Sequence, residues 1–177
     1  MAGTAEVLKG IERLPNVHYP VLVPNQRGLE NLLELLENHP VSPPLTDEIA
    51  VFTAATDSFT QRNLNCSVAE SLKKLEIVTR AALDKGLRVR GYVSVVVACP
   101  FEGRTDFKRV RDVTKELLDM GCYEVSLGET VGQGRPHEVA EMLEEVKKSN
   151  PVDTLAVRFF SVFFLPLKIT LIFFRDM

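Results

Sequence analysis

An α/β fold on a parallel sheet is predicted for this chain of 177 residues from three observations. Apolar, β-branched runs alternate with helical patterns of ten or more residues, which implies right-handed βαβ crossovers. Two of those runs lead straight into polar loops, GYVSVVVACPFEG at residues 91–103 and EVSLGETVGQG at 124–134. Loops leaving the C-terminal ends of buried parallel strands are where α/β proteins place their chemistry. The hydrophobic content, 45%, is that of one globular domain. Nothing in the alternation specifies closure, and a flavodoxin-like open sheet would give the same string of elements.

The first strand is HYPVLVP (18–24), closed by Pro24, followed by a helix over 27–38 with Leu29, Leu32, Leu33 and Leu36 at helical spacing. HPVSPPLTD (39–47) holds three prolines and is an exposed connection. EIAVFTAA (48–55) is the second strand. Ser67 and Glu70 form the S-x-x-E capping box of a helix that runs to about Lys85 and stops at Gly86, so 58–66 reads as loop. The third strand spans 88–98; its unbroken apolar character predicts burial on both faces. A helix over 106–120 stops at Gly121, the fourth strand is 124–127, and Pro136 opens a helix to Ser149. TLAV (154–157) begins a fifth strand.

The stretch FFSVFFLPLKITLIFF (159–174) breaks the pattern, showing neither strand alternation nor a helical stripe. It is shorter than the ~20 apolar residues that span a bilayer, and Pro166 and Lys168 interrupt it, so a membrane anchor is disfavoured. The organisation expected is an incomplete (β/α) barrel domain over 1–157 and an unrelated apolar tail over 158–177. With a net charge of −3 and a pI near 5.7, and with basic residues scattered among acidic ones, nucleic acid is not expected as a partner. Cys66, Cys99 and Cys122 form neither a disulfide framework nor a zinc ribbon. No targeting signal is visible in MAGTAEVLKGIERL, which by itself predicts a cytosolic protein.

The motifs YPVLVPNQRG (19–28), SFTQRNLNCSVAES (58–71), VRGYVSVVVACPFEG (89–103) and MGCYEVSLGETVGQGRP (120–136) resemble the 3-hydroxy-3-methylglutaryl-CoA lyase family. So does TAEVLKGI (4–11), which is similar to the helix after the second barrel strand. The resemblance runs from Thr4 to Val157 and implies part of a (β/α)8 TIM barrel with about five parallel strands. It implies cleavage of 3-hydroxy-3-methylglutaryl-CoA to acetyl-CoA and acetoacetate, a step of leucine degradation and ketone body formation. It further implies an Mg2+ or Mn2+ cofactor, an acyl-CoA substrate, frequent homodimers and a mitochondrial matrix location.

By the same resemblance Arg62 and Asn63 contact coenzyme A. Asn25, Tyr92, Ser126 and Thr130 bind substrate, and Glu129 takes part in proton transfer, with Cys99 a further catalytic candidate. Glu129 stands where the family usually carries aspartate, one methylene shorter. The family's metal ligands are not matched: its GPRDGLQNE-like segment has no counterpart, and LAVRFFSVFF (155–164) stands where LAVHCHDTYG is expected, with Arg158 at the first histidine. The chain is therefore expected to be inactive alone, as a fragment cut at both ends. Its alternatives are a non-catalytic truncated product, a fragment of an incorrectly drawn gene, or a relative such as isopropylmalate or homocitrate synthase. CPFEG favours the lyase over those condensing enzymes.

Each candidate also has a plain structural role to weigh. Glu129 can cap the glycine turn beside it, Cys99 can be a small buried residue at a strand end, and Tyr92 can be a core aromatic. Arg62 can be a solvated charge. The three histidines, His18, His39 and His137, stand in no ligand spacing.

Overall fold

The computed structural model describes residues 3–159. Helix α1 (Thr4–Gly10) leads to β1 (Val21–Leu22), α2 (Gln26–Asn38), β2 (Glu48–Ala54), α3 (Asp57–Leu64) and α4 (Val68–Asp84). These are followed by β3 (Arg88–Ser94), the short strands β4 (Ala98–Cys99) and β5 (Gly103–Arg104), α5 (Phe107–Asp119), β6 (Glu124–Glu129) and α6 (Pro136–Lys147). A 3-10 turn (Val152–Thr154) enters β7 (Leu155–Phe159). The rest of the predicted apolar tail, residues 160–177, lies outside the described residues.

The main sheet has the order β1-β2-β3-β6-β7, every pair parallel, while β4 and β5 form a small antiparallel hairpin of their own. Each main strand therefore pairs with the next one in the chain, without reversal. A flavodoxin-like sheet reverses its strand order at a switch point. Right-handed crossovers in one direction put successive helices on one face, so this topology is an arc of a singly wound barrel.

The register shows which side chains share a face. Val89, Gly91 and Val93 point at the helices, where they pack with Val125, Leu127, Val78, Leu117 and Met142 in one core. Arg88, Arg90, Tyr92 and Ser94 alternate with them and stay partly exposed. The expectation that β3 is buried on both faces is thus corrected: its other face is polar. There Arg90 pairs with Glu124 beside it in register, and buried Glu48 accepts the Tyr123 hydroxyl at 2.9 Å, with Arg88 at 3.7 Å. The strand also stops at Ser94 rather than Ala98, because Val95 turns the chain with φ 55°.

The capping box forms as read: Ser67 Oγ accepts from Glu70 N at 3.2 Å, and Glu70 Oε2 accepts from Ser67 N at 2.8 Å. Gly121, with φ 108°, ends the α5 region and brings Cys122 under β3. Burial pushes the Cys122 thiol up to about 12 from 9.0. A group raised in the folded state stabilises fully below its unfolded pKa and loses that contribution as pH rises towards the folded value. Between pH 8 and 10 the protein is expected to lose about 1 kcal/mol more stability than Cys122→Ala does over the same interval. Urea titrations at both pH values check this, and equal losses would contradict it.

Candidate active site

The loops that carry candidate residues leave the C-terminal ends of β1, β2, β3 and β6. After β1, Asn25 adopts an extended backbone and its side-chain oxygen accepts from Gly28 N at 3.0 Å, capping α2. Its amide oxygen is committed to that helix, and it stands apart from the other candidates.

After β2 the chain enters α3, where a loop was expected over 58–66. Thr56 is the N-cap residue of α3, yet its hydroxyl makes no cap. It donates instead to Cys99 Sγ at 3.2 Å, and Ser58 Oγ lies 3.5 Å from the same sulfur. Ser58 N donates to Glu102 Oε1 at 2.9 Å, tying the start of α3 to the Cys-Pro hairpin. Arg109 of α5 pairs with Asp57 at 2.7 Å and reaches Glu102 at 3.9 Å, while Asp57 also accepts from Val68 N at 2.8 Å.

These contacts shift the local acids in a consistent direction. Burial pushes the Cys99 thiol up, but bonds from Thr56, the Phe101 and Glu102 backbone and Ser58 together hold it below the usual thiol value. No cation is needed for that shift, since donors aimed at sulfur favour the thiolate. Glu102 is held below the ordinary carboxylate range by the Ser58 side chain and backbone. Cys99 remains 3% exposed.

Arg62 is exposed on α3, with its guanidinium 5.0 Å from the centre of the Phe101 ring. Phe59 and Phe101 are 6.3 Å apart, forming a half-open aromatic shelf beside it. The Asn63 amide donates to Phe59 O at 2.9 Å, which leaves its carbonyl oxygen free to face outward.

On the polar sheet face Tyr92 and Ser126 are register partners. Tyr92 is flanked by Arg90 at 5.4 Å, and among the described residues neither hydroxyl is engaged. β6 runs two residues further than the expected 124–127, so Glu129 ends the strand. It is 2% exposed, and its two carboxylate oxygens accept from Gly132 N at 2.7 Å and Gln133 N at 3.2 Å. Gly134 is required where this carboxylate folds back, because a Cβ there would come within 2.9 Å of Glu129 Cγ. Thr130 Oγ1 accepts from Val95 N at 2.9 Å and lies 3.3 Å from Gly128 O.

The structure therefore pairs Tyr92 with Ser126 on the polar sheet face, places Glu129 and Thr130 where β6 ends, and puts Cys99 in the hairpin that follows β3, with Arg62 and Asn63 on α3 beside that hairpin. Thr56, Ser58, Glu102 and Arg109 are the members that sequence reasoning missed. The Thr56-Asp57 pair before a short helical run was the available signal, being a helix-start pattern with an acidic first turn.

Among the described residues, no three His, Cys, Asp or Glu side chains converge so as to hold a metal ion. The described residues thus offer no such ligand set to a divalent cation.

A family model described as HMGL-like matches residues 9–159. The mitochondrial hydroxymethylglutaryl-CoA lyase of Bos taurus is 45% identical over 157 residues, covering 89% of this chain and 46% of that protein. The cytoplasmic 3-hydroxy-3-methylglutaryl-CoA lyase of Rattus norvegicus is 48% identical, covering 89% of this chain and 43% of its own length. The solved HMG-CoA lyase of Brucella melitensis superposes with a TM-score of 0.82 at 43% identity, covering 90% of this chain and 53% of that structure. The chain spans about half the length of these relatives.

Proposed function

The chain belongs to the HMGL-like family, and from that premise we propose that it is part of a carbon-carbon lyase acting on 3-hydroxy-3-methylglutaryl-CoA. The products are acetyl-CoA and acetoacetate. The observation that supports this reading is that Cys99, Glu129 and Thr130 lie at or just beyond the C-terminal ends of parallel strands, with Tyr92 and Ser126 paired on the polar face, in an arc that shares the fold of such lyases.

Cleavage requires loss of the proton from a tertiary hydroxyl, followed by scission to an enolate that must then be protonated. In this reading Arg62 and Asn63 sit over the hairpin to receive the coenzyme A moiety. An exposed guanidinium stacked on an aromatic ring is suited to phosphate, and Arg forms the stronger bidentate bonds. Tyr92 and Ser126 offer hydroxyl donors to the acyl carboxylate. Thr130 has its single donor aimed at Gly128 O, so its role towards substrate is as an acceptor or by exchange of that bond. Glu129 handles the proton, its carboxylate oriented by two backbone N–H groups. Asn25 marks the rim at β1. Divalent metal chemistry belongs to this proposal only through residues other than those described. Both mitochondrial and cytoplasmic relatives exist, and for this chain we propose the mitochondrial matrix, to be checked by cell fractionation.

Calorimetry with 3-hydroxy-3-methylglutaryl-CoA tests the reading. Binding is expected, and Arg62→Ala is expected to weaken it roughly tenfold by removing a charge-assisted contact. Absence of binding, or binding indifferent to Arg62→Ala and Tyr92→Phe alike, would overturn it. With Mg2+ or Mn2+ added, the chain alone is expected to release no acetoacetate from the thioester.

A further inference from the structure

Val95 has a backbone φ of 55° and is completely buried. A β-branched residue in the left-handed region is a steric outlier, because its Cβ crowds the following carbonyl. Such a conformation persists only where the surroundings over-determine it. Here two loops do so. Val95 N donates to Thr130 Oγ1 at 2.9 Å, and Val95 O accepts from Thr105 Oγ1 at 2.6 Å. The neighbouring bonds Val96 N to Gly128 O, at 3.2 Å, and Thr105 N to Val97 O, at 3.0 Å, complete the clamp.

The consequence lies four residues on. By turning at Val95 instead of continuing as strand, the chain folds into the β4-β5 hairpin, and Cys99 packs back against Val95 and Ala54. That return brings the sulfur to Thr56 and Ser58. Thr105 is buried at 3% exposure and touches none of Cys99, Thr56 or Ser58 through a hydrogen bond; its hydroxyl bonds to Val95 O, so the hydroxyl acts on them through Val95.

We infer that Thr105 is a positioning residue: its hydroxyl, with that of Thr130, holds Val95 in the left-handed conformation, and this knuckle sets the place of the Cys99 thiol. The inference goes beyond the lyase reading and does not depend on it.

The test is hydrogen exchange and Cys99 alkylation on the full chain, resolved by peptide, in a double-mutant cycle. Thr105→Val keeps the shape and deletes the hydroxyl. It is expected to speed exchange of the 95–105 segment and labelling of Cys99 roughly tenfold, the loss expected of one buried hydrogen bond, while Thr105→Ser retains wild-type rates. Val95→Gly and Val95→Ala both delete the valine packing, but only glycine removes the left-handed penalty. Val95→Gly should therefore have a folding equilibrium constant about fivefold larger than Val95→Ala, and in the Val95→Gly background Thr105→Val should change exchange by less than about threefold. If Thr105→Val does not fold, Val95→Gly with Thr105→Val must recover folded protein. Equal sensitivity to Thr105→Val in both backgrounds, acceleration spread evenly over the chain, or failure of the double variant to fold would overturn the inference.

Discussion

Leu117→Ala is expected to destabilise the protein by about 3–4 kcal/mol, the range for emptying a fully enclosed core site. Leu117 is wholly buried on α5, and its Cδ1 sits 3.3 Å from the point where a Cβ would stand on Gly91, next to Val125 and Cys122. Gly91 leaves a gap in the middle of β3 that this leucine fills. Since strand backbone forms the floor of the site, the cavity cannot be closed by rotamer changes alone, and the larger part of the penalty should remain. For a chain of this size the melting temperature should fall by about 10 °C. A thermal scan showing less than about 3 °C would mean that α5 moves down onto the sheet and closes the gap.

Glu129→Ala is expected to cost about 2–3 kcal/mol, because it leaves the Gly132 and Gln133 N–H groups without their acceptor in a partly buried turn. Glu129 Cγ is also the atom that a Cβ on Gly134 would strike at 2.9 Å. With its carboxylate pinned by two backbone donors, that side chain cannot swing aside cheaply. Gly134→Ala alone should thus cost about 1–2 kcal/mol through overpacking, yet add almost nothing once Glu129 is alanine. Denaturant midpoints of the two single variants and the double variant measure the coupling. Additive losses would show that the carboxylate and the glycine do not oppose each other.

The two results bear on the site differently. Leu117 supports the sheet from behind, whereas Glu129 shapes the loop that leaves its C-terminal end. Glu129 serves as a turn anchor, its side chain folded back along the turn beside Gly134 with its carboxylate held by Gly132 N and Gln133 N.

Much of this was legible before any coordinates. The α2 leucine stripe, the Ser67-Glu70 box, the Gly121 stop and the Pro136 start are local signals, governed by side-chain periodicity and by which residues satisfy terminal N–H groups or tolerate positive φ. The candidate loops were legible as motifs: LGET closes β6 as expected, whereas CPFEG, expected at the end of the third strand, forms the β4-β5 hairpin. What was not legible was the interval from Ser94 to Cys99. Three valines in a row read as strand, because β propensity reports a preference for pleated, half-buried surface and not the hydrogen bonds available at a particular point.

The sequence by itself determined the order of the five main strands and, α3 apart, of the helices between them, several of the caps that bound them and the family to which they belong, since each rests on contacts within a few residues or on a preserved string. Only the tertiary structure decided that the strands run in unbroken order as an arc with one polar face, that Thr56 serves a distant sulfur instead of its own helix, and that Val95 bends where propensity would extend it. Those outcomes are fixed by bonds between groups 10 to 43 positions apart, and the energy of such bonds depends on where the whole chain brings their donors and acceptors.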